Sequence, residues 1–358
     1  MRRFFLSLIA LCFALPAAAQ DWKAEWDKTV AAANKEGKVV VVMSPTPGRR
    51  NFLMTQWKAD FPQIEMSLTV APLTFVQQVI TERAAGSYLW DVWHSGPNTG
   101  HVAVRAGLLD ELLPELILPE VKDEKVWGGW HDAFYDKDRK RILALYNDIQ
   151  SPYYNAKQIS PDRVKAEGLK VMLDPKYKGK IVWFDPRVGG PGAPFLALFK
   201  HVLGEEGMWK LIKDQNPLIV PNLNESAQAM VRGKAVIAIG GQRKQNLQAY
   251  TEAGIATDMR DFGNTPETAF LGMDGGGIGV FTNRPHPNAA RVFANWVMTK
   301  RILEGITKAD KYDARRNDIP PSDPSTAAIP GAQYVQAQRV EYDEEIVKIQ
   351  AELKKIWQ

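Results

Sequence analysis

Four consecutive valines, Val39 to Val42, constrain this chain most. A strand that is β-branched at every position has no polar face to turn to water, so both faces must be covered, as in a parallel sheet flanked by helices. Ser44-Pro45-Thr46-Pro47-Gly48 stops the run, and the spacing of Phe52, Leu53, Trp57 and Phe61 predicts a helix over about 49–60. Glu65 to Ala71 alternates as a second strand. Phe75, Val76, Val79 and Ile80 then mark one face of a helix over 72–85, and Asp91 to His94 reads as a third, short strand. Strand, helix, strand, helix, strand implies a doubly wound α/β sheet.

The alternation pauses, then resumes. Ile142 to Tyr146 reads as a strand, and a second α/β series begins at Gly179 with the strand Lys180 to Phe184. Helices are expected over about 193–203, 225–232 and 242–252, with a strand at Ala235 to Ile239 and a short one at Met259 to Phe262. Ile278 to Phe281 is a further strand, and His286-Pro287 opens another helix. Near the C-terminus, Tyr342, Ile346, Ile349, Leu353 and Ile356 recur at spacings of four and three, the stripe of a helix that packs back onto the body. The reading is two α/β lobes joined by a hinge, with 20–148 as the first lobe, 149–267 as the second, and 268–358 returning to the first with the C-terminal helices.

The N-terminus sets the expected compartment. Arg2 and Arg3 precede an apolar run of 12 residues, Phe4 to Leu15, and Pro16 with Ala17-Ala18-Ala19 follows. Charge, apolar run and small residues in that order are a secretory signal, with cleavage expected after Ala19. The run is too short to span a bilayer, which takes about 20 residues. The roughly 339 residues left are enough for two domains with separate cores. Cys12, the only cysteine, leaves with the signal, which excludes disulfides, thiolate metal sites and cysteine nucleophiles. Loss of Arg2 and Arg3 takes the formal charge from +4 to +2, too little to argue for nucleic acid.

Six short segments in order give a resemblance: Glu36-Gly37-Lys38 with the valine strand; Glu82 to Gly86 with Asp91-Val92; Tyr154-Asn155-Ala156-Lys157; Asp174 to Ile181; Val231-Arg232-Gly233-Lys234-Ala235; and His286-Pro287-Asn288-Ala289-Ala290. Together they resemble the extracellular solute-binding proteins of ABC importers, in the branch that includes the ferric-iron-binding proteins. The resemblance implies a type II periplasmic binding fold, a small-molecule ligand between the lobes, an inner-membrane ABC permease as partner, a monomer, and no cofactor.

In open α/β sheets ligands bind beyond the carboxyl ends of strands, where loops meet helix N-termini. Five such loops supply the candidate ligand-binding residues: Ser44, Thr46 and Arg49; Ser95, Gly96 and Asn98; Asp185, Arg187 and Gly190, with Trp183 on the strand before them; Gly241, Gln242 and Arg243; and Asp274. Gly189-Gly190-Pro191-Gly192 ahead of a helix would turn backbone N–H groups toward an anion, and Arg49, Arg187 or Arg243 would hold a carboxylate or phosphonate with paired hydrogen bonds. The ferric-iron binders of this branch carry adjacent tyrosines after the strand that follows the Gly-Lys-Ala turn; here that place reads Gly240-Gly241-Gln242-Arg243. The expected solute is therefore a small anionic organic molecule (phosphonate, phosphate ester or carboxylate), with ferric iron or an iron chelate as the alternative. The histidines show no metal-ligand spacing, and no nucleophile elbow is present, so no catalytic set is assigned. A periplasmic enzyme or a sensor-input module on the same architecture is the reading from another class.

Overall fold

The computed structural model describes residues 18–44, 46–70, 74–240, 250–255, 258–273, 276–310, 312–324 and 327–357. After the helix α1 (Ala18–Glu36), the first lobe is built on β1 (Lys38–Met43), β2 (Glu65–Val70), β3 (Val92–His94), β4 (Leu143–Ala144) and β12 (Gly277–Val280), in the order β2-β1-β3-β12-β4. The pairs β1–β2 and β1–β3 are parallel. The late strand β12 enters antiparallel between β3 and β4, so the sheet is mixed. The valine strand behaves as its composition demands: Val39, Val41 and Met43 face one core with the helix Pro287–Val297, while Val42 faces another with Phe75, Val76 and Trp93. The helices α2 (Pro47–Asp60), α3 (Phe75–Ala84) and α4 (Pro97–Arg105) return the chain between these strands.

The second lobe repeats the plan. Its sheet holds β6 (Tyr153–Asn155), β7 (Ile181–Phe184), β8 (Leu218–Val220), β9 (Ile237–Ile239) and β10 (Met259–Asp261), in the order β10-β6-β9-β7-β8, with β7–β8 and β7–β9 parallel. Trp183, Phe195 and Phe199 fill one face, and Val182, Val220 and Met230 the other. The helix predicted over 193–203 runs from Pro194 to Lys213. Gly204, at φ 72°, takes a non-helical kink without ending it, because glycine meets no Cβ clash there.

A third, antiparallel sheet joins the lobes: β11 (Phe270–Gly272), β5 (Tyr146–Gln150) and β13 (Asp313–Ala314). The chain leaves the first lobe along β5, returns along β11, and passes back toward the second after β13. The C-terminal helix Val340–Ile356 corrects one expectation. The sequence reading sends it to the first lobe, yet Ile346, Ile349 and Leu353 lie in the core of the second, against Pro194–Lys213. The apolar stripe specifies that a face is buried and carries no information about the surface that receives it. Among the described residues, no helix is long and apolar enough to cross a membrane.

Candidate ligand-binding cleft

The first wall of the site forms where β1 and β3 end. Parallel neighbours release their chains at the same edge, so Ser44 and Ser95 emerge side by side, their hydroxyls 3.1 Å apart although 51 residues separate them. The Ser44 N–H donates to the His94 carbonyl at 3.3 Å, and Gly277, at the start of antiparallel β12, donates to the Ser95 carbonyl at 2.9 Å. Gly276 (φ 115°) sits on this seam, and a Cβ there would come within 3.2 Å of the Ser95 carbonyl oxygen. Thr46, half-buried, bonds back to the Ser44 carbonyl, and Gly96 caps α4. The structure thus brings Ser44, Thr46, Ser95 and Gly96 together. Asn98 lies in the first turn of α4, and its side chain is outside the description.

Arg49 does not reach this surface. Its side chain is 0 % exposed; Nε donates to Asp310 Oδ2 at 2.6 Å, its own backbone N–H donates to Asp310 Oδ1 at 2.9 Å, and the guanidinium lies 4.4 Å from the Tyr146 ring centre. The charge expected to meet an anion is met by Asp310 instead, 261 residues away in sequence. Sequence reasoning missed two neighbours of this buried arginine. His94 donates from Nδ1 to the Gly277 carbonyl at 3.0 Å, and among the described residues its buried Nε2 has no hydrogen-bond partner. Burial, aided by the Arg49 charge, pushes its pKa down to about 3, so the ring is neutral. The Tyr146 hydroxyl is likewise buried without a partner among the described residues, and burial raises its pKa. The one signal in the sequence was that His94 closes a strand.

The second wall forms where β7 and β9 end. A Cβ on Gly192 would overlap the Phe184 carbonyl, and one on Gly240 (φ 85°) would come within 2.7 Å of the Gly192 Cα, so only glycines let these turns nest. Gly190 (φ 143°) packs its backbone over the Phe184 ring. Two expected contacts are turned elsewhere. Trp183 is fully buried, its Nε1 donating to the Gly192 carbonyl at 3.1 Å and its ring edge-on to Phe199, so it braces the turn from within the core. Arg187 is held by Asp185 (Nη2 to Oδ2, 2.8 Å) and donates to the Trp357 carbonyl, which directs it to the C-terminal helix. Burial works to raise the Asp185 carboxyl, and the bonds from Arg187 outweigh it, leaving its pKa below the ordinary value. Gly241, Gln242, Arg243 and Asp274 lie outside the described residues.

The cavity that lies between the lobes is lined by other residues than the candidates named from the sequence. It has a volume of about 270 Å³ and is bounded by Thr99, His101 and Val102 of α4 on one side and by Gly189 and Ala193 of the second lobe on the other. Gln338 and Ile346 of the C-terminal segment close its third side. Among the described residues, no group of three or more His, Cys, Asp or Glu is placed to hold a metal ion.

No family model and no curated protein matches the sequence. Solved structures match over nearly the whole chain. Ferric iron-binding protein A of Mannheimia haemolytica, in an open conformation, superposes with a TM-score of 0.66 at 14% identity, covering 89% of this chain and 98% of that one. The ferric binding protein of Campylobacter jejuni gives 0.66 at 16%, covering 88% and 99%. The periplasmic binding protein AfuA of Actinobacillus pleuropneumoniae, with fructose-6-phosphate bound, gives 0.59 at 15%, covering 89% and 99%. The chain has the two-lobed α/β fold of these periplasmic binding proteins.

Proposed function

We propose that this chain is an exported solute-binding protein that closes on a small polar, anionic organic solute and delivers it to an ABC importer in the inner membrane. One observation supports the reading: two α/β lobes are joined by antiparallel crossings, and a cavity between α4 of the first lobe and the turn 189–194 of the second lies between them. The folds of solved iron-bound and fructose-6-phosphate-bound proteins support the same role. The charged, apolar and small-residue N-terminus supports export to the periplasm.

The arginine arithmetic changes the expected chemistry of capture. Asp310 and Asp185 already neutralise Arg49 and Arg187. In this proposal the described part of the set is neutral: the hydroxyls of Ser44, Thr46 and Ser95, and the backbone N–H groups ahead of the helix Pro194–Lys213, whose positive end favours negative charge. Gly241, Gln242, Arg243 and Asp274 complete the set in this proposal. Ferric iron is the second reading, favoured by the iron-binding proteins of like fold.

Thermal unfolding of the mature protein in a panel of citrate, fructose 6-phosphate, phosphonates, dicarboxylates, polyamines and ferric ion tests both. A solute at 100 times its dissociation constant adds about 2.7 kcal/mol. Stabilisation by an organic anion supports the proposal, and stabilisation by ferric ion alone refutes it in favour of the second reading.

A further inference from the structure

The C-terminal segment touches both lobes with different chemistry at its two ends. Its body belongs to the second lobe: Ile346, Ile349 and Leu353 are in that core, Lys200 Nζ meets Glu345 at 2.6 Å, and Gln350 Nε2 donates to the Pro186 carbonyl at 2.9 Å. Its leading turn belongs to the first lobe. Gln338 accepts from His101 Nε2 at 2.7 Å through its carbonyl, and from the Met273 N–H at 2.7 Å through Oε1. Arg105 pairs with Asp343 at 2.9 Å, Arg139 pairs with Glu341, and Arg339 reaches Asp132.

The apolar end is the costly one to move, because it would expose core. The polar end is cheaper: each pair has one partner about half-exposed (Arg105 51%, Glu341 51%), and pairs open to water are weak singly. Beside it lies the cavity between α4 and the turn 189–194, which leaves part of this end unpacked, while Val340 is buried and donates its N–H to the Tyr135 carbonyl. Met273 directly follows the hinge strand β11, which puts the Gln338 bonds at the pivot and the Arg105 and Arg139 pairs farther along the helix. We propose that the C-terminal helix is an electrostatic clasp. It rides with the second lobe, pivots at Gln338, and fixes the spacing of the lobes through Arg105–Asp343 and Arg139–Glu341. Release of those pairs lets the lobes separate.

The claim is independent of the solute and is tested without one. The expected mature chain lacks cysteine, so Lys58→Cys on the first lobe and Lys210→Cys on the second, both exposed, accept spin labels cleanly. Pulsed electron–electron resonance then reads the distance between lobes. Severing the clasp with Arg105→Ala and Arg139→Ala shifts that distance to longer, broader values. Raising salt to about 1 M moves the unsevered protein the same way, because it screens exposed pairs. The exchanged pair Arg105→Asp with Asp343→Arg keeps the narrow distribution of the starting protein. Asp343→Asn, a near-isosteric change at a partly exposed position, gives the same reading as the severed variant should the double change fail to fold. An unchanged distance in the folded severed variant and in salt overturns the clasp. An exchanged pair that remains as broad as the severed variant overturns the assignment to ion pairing.

Discussion

A guanidinium taken fully out of water is stable only while its counter-charge stays in place. Arg49 is in that position, with Asp310 as its anion and Tyr146 beneath its plane. Arg49→Ala leaves a carboxylate buried without its cation, and urea denaturation should show a loss of about 3–5 kcal/mol. A loss below about 1 kcal/mol would contradict the burial described. His94 makes a pH prediction. Its folded pKa is about 3 against 6.5 in the unfolded chain, so the unfolded state takes up the proton first as pH falls. Its contribution is complete above pH 6.5 and is lost as pH falls toward 3, at up to about 1.4 kcal/mol per pH unit. His94→Gln, which keeps a donor for the Gly277 carbonyl, should give a shallower fall in unfolding free energy between pH 6 and pH 4. Equal slopes in the two proteins would mean that the ring titrates normally. Neither partner is legible locally: Asp310 ends the helix Lys300–Asp310, which meets α2 only through tertiary packing, and a strand-end histidine looks the same with or without water.

Elements were easier to read than their destinations. The spacing of Ile346, Ile349 and Leu353 states that one face of the last helix is buried, and all three are. It does not state where, because apolar surface is non-directional in its demand for cover. Leu353→Ala removes a fully buried side chain from between the helix and Pro194–Lys213, and a cost of about 2–5 kcal/mol is expected from chemical denaturation. Ile356 is 40% exposed, so Ile356→Ala should stay within about 0.5 kcal/mol. Equal effects at the two positions would place the stripe incorrectly. The kinked helix teaches the converse lesson. Gly204 reads as a stop, yet Met208, Leu211 and Ile212 continue the apolar demand beyond it, and burial prevails over one glycine.

At the scale of the molecule, alternation of strand and helix signals specified two α/β lobes, because each β-branched run needs cover on both faces. The strand-end loops were legible lobe by lobe, since strand ends in such sheets converge by geometry; Ser44 with Ser95 in the first lobe, and Gly192 with Gly240 in the second, show that convergence. The role of Arg49 was not, because its partner lies 261 residues away; the pairing of Arg187 with Asp185, two residues before it, was open to a local reading and was passed over. If the proposed solute is captured between the lobes, small-angle scattering should register a smaller radius of gyration at saturating solute than without it. An unchanged radius with proven binding would argue against closure.

The position of β12 has a consequence for how such a chain is made. It sits between β3 and β4 in the first sheet, yet it is reached only after the second lobe has been traversed. A nascent chain that has emerged as far as β10 therefore holds an N-terminal sheet with an inner slot still vacant. That half cannot complete its sheet until the chain beyond β10 has been made. A threading machine that accepts only slack polypeptide would find this order of assembly well suited to its needs.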